Sequence, residues 1–70
     1  MLIRELITIG EKRLAEAGIH DAANDARELL CHVTGKNRTG LIMHINTTVS
    51  YGKAQTYYDL LEKRASGIPL

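Results

Sequence analysis

Between Asp25 and Thr39 the chain reads DARELLCHVTGKNRT, and this stretch constrains what everything else must do. Ala26, Leu29, Leu30 and Val33 recur at i, i+3, i+4 and i+7, one face of an α-helix. Gly35 then ends that helix, because glycine takes the left-handed conformation beyond a helix end without a Cβ penalty. Lys36, Asn37 and Arg38 make a short basic turn, and Asn37 or Thr39 is placed to cap a following helix. A helix, a stop, a charged turn and a restart form half of a helical hairpin. The flanking segments must supply the surfaces that bury its apolar face.

They are patterned to do so. From Leu2 to Ala17, the residues Ile3, Leu6, Ile7, Gly10, Leu14 and Ala17 fall on one helical stripe, while Arg4, Glu5, Glu11, Lys12 and Glu16 face out. Gly10 on the buried stripe costs about 1 kcal/mol in propensity relative to Ala, a cost that makes sense where another helix crosses closely. Gly18 ends this first helix, and Ile19 beyond it supplies the apolar contact that accompanies such a stop. Asp21 is the expected N-cap of the second helix, which runs to about Thr34. The third segment, Thr39 to His44, is short and needs tertiary support, with Leu41, Ile42 and Ile45 each expected to touch the core. Asn46, Thr47 and Thr48 form a polar loop, and Ser50 caps a last helix from Tyr51 to about Ser66. There Ala54, Tyr57, Tyr58, Leu61 and Ala65 repeat at helical spacing, Lys63 and Arg64 complement the helix dipole, and Gly67 with Pro69 closes the element. No segment combines period-two alternation with β-branched enrichment. The expected fold class is all-α, a small helical bundle of four to five helices.

Seventy residues make one small domain, which buries only about 60% of its unfolded surface. With 44% hydrophobic residues but neither Phe nor Trp, the core must come from Leu, Ile, Val, Ala and tyrosine. The formal net charge of +1, with both signs interspersed, argues against a nucleic-acid-binding domain, which would carry a basic excess on one face. No apolar run approaches the ~18 residues of a membrane span, and Arg4, Glu5, Glu11 and Lys12 break up any signal-peptide pattern. The chain is expected to be cytoplasmic.

Chemistry-bearing residues are sparse. Cys31 is alone, so no internal disulfide forms, and a small apolar side chain beside the core is the better reading. His20, His32 and His44 lie on separate elements without a ligand at metal-binding spacing. Asp21 with Asp25, or Asp59 with Glu62, reads as helix-start charge or exposed-face residues rather than as a catalytic pair. No catalytic, cofactor-binding or metal-binding residue is therefore assigned. The contact candidates are Lys36 and Arg38 in the basic turn, where an arginine offers a rigid fork for carboxylates, and Tyr57 and Tyr58 on the last helix. The two tyrosines are adjacent and cannot both point fully inward, so one belongs to the core and the other is an exposed aromatic suited to an interface.

The run DA-x-x-LL-x-HV-x-GK-x-RT, with IRELI before it and LLEKRASGIPL after it, resembles the amino-terminal domain of the HemK/PrmC family. Those are methyltransferases that modify the glutamine of the GGQ motif in peptide chain release factors. The resemblance covers nearly the whole chain and lies in the order and spacing of the pieces. Where the family usually reads G-E-P after the last helix, this chain has Gly67-Ile68-Pro69, a local departure. It implies a release factor as partner and S-adenosylmethionine as cofactor of the longer enzyme, whose Gly-rich loop after a strand and Asn-Pro-Pro-Tyr motif are not in these residues. On that basis residues 1–70 are one substrate-recognition domain excised from a longer methyltransferase. The alternative is a free-standing helical protein-interaction adaptor. A haem-pathway oxidase, a label that has been attached to members of this family, finds no flavin loop or porphyrin-suited histidine set here.

Overall fold

A computed structural model describes residues 1–67; the expected closure by Pro69 lies outside the described residues. Four helices follow in order: α1 Ile3–Glu16, α2 Ala22–Thr34, α3 Arg38–Met43 and α4 Tyr51–Ala65. The long helices α1, α2 and α4 pack against one another, and α3 leans on α2. The only sheet-like pairing among the described residues is a single antiparallel bridge between Leu2 and Thr48. The all-α expectation holds, at the lower of the two helix counts.

Helix ends follow from local chemistry. At the end of α1, the Gly18 N–H donates to the Ala15 carbonyl and the Ile19 N–H to the Leu14 carbonyl, both at 3.0 Å. This paired closure requires the left-handed φ of 82° at Gly18, and Ile19 folds back onto the core. Gly35 ends α2 with φ 72°, its N–H donating to the Cys31 carbonyl at 2.9 Å. Asn37 rather than Thr39 caps α3, its Oδ1 accepting from the Gly40 N–H at 2.7 Å, so α3 begins one residue earlier than expected. Ser50 caps α4 through the Lys53 N–H at 3.4 Å. Asp21 occupies the N-cap position of α2, but its carboxylate accepts no hydrogen bond there.

The start of α1 is closed by a distant loop. The Ile3 N–H donates to the Thr47 carbonyl and the Arg4 N–H to the Ile45 carbonyl, each at 3.0 Å, and Val49 returns a bond to the Met1 carbonyl at 2.8 Å. Two N–H groups that a helix start leaves without partners are satisfied this way. The same bonds hold the end of α3 beside the first turn of α1, which a six-residue helix could not secure alone.

The core takes most of the expected stripes, Ile3, Leu6, Ile7 and Leu14 from α1, Ala26, Leu29 and Leu30 from α2, and Ala54, Tyr57 and Leu61 from α4, whereas Ala17, Val33, Tyr58 and Ala65 are only half-buried. Leu41 and Val49 complete it. Where α4 crosses α1 the contact runs over Gly10: a Cβ there would collide with the Tyr57 hydroxyl and sit 3.0 Å from the Ala26 Cβ. Ile42 corrects its expectation. It is 70% exposed, because α3 turns Leu41 inward, Ile45 packs on the core from just beyond the helix end, and Ile42, next to Leu41 on the helix, is left on the flank.

Candidate interaction surface

The structure separates the four residues proposed as contacts. Tyr57 is fully buried and donates from its hydroxyl to the Leu6 carbonyl at 2.9 Å, so it offers nothing to a partner and is withdrawn as a contact residue. Burial, with Glu11 adding to it, pushes its phenol well above the usual tyrosine range. Tyr58 is half-buried, its hydroxyl directed at the Met1 sulfur at 2.8 Å, beside the exposed ring of Tyr51.

Lys36 and Arg38 face different hollows. Lys36 is half-buried beside Lys53, Ser50 and the Thr47–Thr48 loop, around a hollow of about 280 Å³. Arg38, the first residue of α3, turns toward a larger groove of about 530 Å³ between α1, α2 and α3. The floor of that groove is Ile7, Leu41 and Ile45, its flank is Ile42, and its rim carries Arg4, Arg27 and Arg38 against Glu11. Arg27 reaches Glu11 and Arg38 reaches Glu28, each at 3.3 Å between exposed side chains. Arg4 has no ion-pair partner among the described residues. Sequence spacing linked Arg38 to Lys36 but could not reveal this grouping. It depends on the loop carbonyl of Ile45 that brings α3 to the first turn of α1.

Other charged groups serve the fold. Arg13 grips Glu62 with both arms of its guanidinium, Nε to Oε2 at 2.7 Å and Nη2 to Oε1 at 2.9 Å, which holds the Glu62 carboxyl below its usual range. Arg64 ties α4 to α2 through Asp25, at 2.9 Å from Nη2 and 3.1 Å from Nε. Asp59 accepts from the Gln55 side chain at 3.2 Å. Burial pushes the half-buried Cys31 thiol up, with Glu28 adding to it, the opposite of what an activated nucleophile needs. His20, His32 and His44 are all exposed, and among the described residues no three His, Cys, Asp or Glu side chains converge on a metal position. Among the described residues no helix is long and apolar enough to cross a membrane.

The hollows found among the described residues open to solvent, and the arginine-rimmed groove is larger than the hollow beside Lys36. The chain belongs to the family of PrmC N-terminal domains, which matches residues 5–70. It is 36% identical over all 70 residues to a release factor glutamine methyltransferase of Deinococcus radiodurans, and spans about 25% of that relative's length. No solved structure matches the chain. The resemblance carried by the DA-x-x-LL-x-HV-x-GK-x-RT run is therefore a true family relationship.

Proposed function

We propose that this domain serves a release factor glutamine methyltransferase by holding and orienting the release factor, while methyl transfer takes place in another part of the longer protein. The observation that carries the reading is the match of the whole chain to a quarter of such an enzyme. The physical logic is positional. Contacts remote from the reacting amide supply orientation, so that groups at the reacting centre can act on the transition state. S-adenosylmethionine is the methyl donor expected of the longer protein. Gly18 and Gly35 terminate helices rather than follow a strand, and no chemical step is assigned to them. The proposed setting is the cytoplasm, where release factors act.

The test is a charge reversal, Lys36→Glu with Arg38→Glu, in a methyltransferase carrying this domain. We expect kcat/KM on intact release factor to fall about tenfold at low salt, with the loss shrinking as salt rises. Activity on a short peptide bearing the target glutamine should stay unchanged. Equal losses on both substrates would place the defect in folding or the catalytic centre and overturn the reading of this turn.

A further inference from the structure

We infer that the groove between α1, α2 and α3 is the seat of an acidic, apolar-anchored segment of the release factor, an inference that rests on the proposed function and names its contact. Three features of the groove point to this occupant. Its floor is apolar: Ile7 and Leu41 are almost wholly buried, Ile45 packs against the same core, and Ile42 stands exposed along the flank. Its rim carries three guanidinium groups, two of them paired with Glu11 and Glu28, which leaves Arg4 as a cation without an ion-pair partner among the described residues. Its volume of about 530 Å³ accommodates a few side chains and opens to solvent, as a groove for a chain segment does.

The charges are arranged to be exchanged. Arg27 and Arg38 are held by Glu11 and Glu28 in exposed pairs at 3.3 Å, the kind of ion pair that contributes little to stability. A partner carboxylate can take over either arginine at small cost, and Arg4 needs no such exchange. Arginine suits this task because its planar fork meets a carboxylate with two parallel hydrogen bonds. The occupant that complements this surface is a segment with one or two large apolar side chains for the Ile7–Leu41–Ile45 floor, flanked by Asp or Glu toward the rim.

The geometry also limits the alternatives. A small metabolite requires enclosure over most of its surface, which an open groove does not give. A nucleic acid would meet the arginines but leave the apolar floor and Ile42 unused, since it lacks aliphatic anchors.

The experiment uses the 70-residue chain with its isoleucine δ1-methyl groups labelled for NMR, titrated with purified release factor to millimolar concentration. We expect the methyl signals of Ile7, Ile42 and Ile45 to shift, while that of Ile19, beyond the C-terminal end of α1, stays in place. Arg4→Glu and Ile42→Ser should each weaken binding about tenfold, and neither removes a contact the fold depends on. Lys63→Glu, on the exposed face of α4, should leave binding unchanged. Shifts confined to the Lys36–Lys53 hollow or to the Met1–Tyr51–Tyr58 region would overturn the groove assignment while sparing the proposed function. No shift at any methyl or backbone amide would overturn both. Groove shifts produced by a single-stranded RNA oligonucleotide but not by release factor would overturn the choice of a protein segment.

Discussion

The Tyr57 hydroxyl donates to the Leu6 carbonyl at 2.9 Å directly across the face of Gly10, and this crossing locks α4 onto α1. By helix propensity alone, Gly10→Ala would stabilise α1 by about 1 kcal/mol. Packing reverses the sign, because the added Cβ collides with the Tyr57 hydroxyl and presses on Ala26. We predict a net loss of about 1–3 kcal/mol in urea unfolding. The double variant with Tyr57→Phe should lose less than the sum of the two single changes, since the colliding oxygen is gone. A Gly10→Ala protein as stable as the parent would contradict the close crossing.

The same hydroxyl gives the fold an alkaline limit. Burial raises the Tyr57 phenol above its ordinary value of 10.0, so the unfolded chain releases this proton first as pH rises. The stabilisation is fully present below the unfolded value and is lost as pH climbs from there through the folded one. Urea midpoints should therefore fall more steeply above about pH 10 in the parent than in Tyr57→Phe. At neutral pH that variant should cost about 0.5–1.5 kcal/mol for the lost hydrogen bond. Parallel pH profiles would show that the phenol is not protected.

Leu29→Ala or Leu30→Ala should unfold or severely loosen the domain. Both side chains are buried in the central helix, and such truncations cost roughly 2–5 kcal/mol against the 3–5 or so that a domain this small possesses. Thermal melts matching the parent would contradict the packing of α2.

Gly35→Val isolates a backbone effect. Nothing lies within 4 Å of a Cβ at this position, so space is not the obstacle, yet φ is 72°. A β-branched residue there should cost about 1–3 kcal/mol and disturb the α2–α3 turn, whereas a valine at an exposed helix position costs far less. Equal stability of Gly35→Val and the parent would remove the role given to the left-handed stop.

Much of the fold is legible in the sequence because the long helices carry strong periodicity. The stripe Ile3, Leu6, Ile7, Gly10, Leu14 and the set Ala26, Leu29, Leu30 are buried as their spacing dictates. Gly18 and Gly35 take the positive φ that stops of this kind require. What spacing could not decide is which flank of a short helix turns inward, so Ile42 was expected in the core and stands exposed. It also could not say which of two adjacent tyrosines the crossing at Gly10 would select; that choice fell on Tyr57. The surface was harder still. Arg4, Arg27 and Arg38 are far apart in sequence and come together only through packing and the bond between the Arg4 N–H and the Ile45 carbonyl. Arg13 with Glu62, 49 residues apart, was hidden for the same reason.

The central claim, that this domain positions a protein substrate rather than reacting with it, is tested most directly by one ratio. It is kcat/KM on intact release factor divided by kcat/KM on a short peptide carrying the target glutamine, measured for the methyltransferase with the domain and after its removal. We predict that removal lowers the ratio at least about tenfold, through the protein substrate alone, as expected when remote binding contacts are lost. A ratio that does not change, whether both rates hold or both collapse together, would contradict the claim.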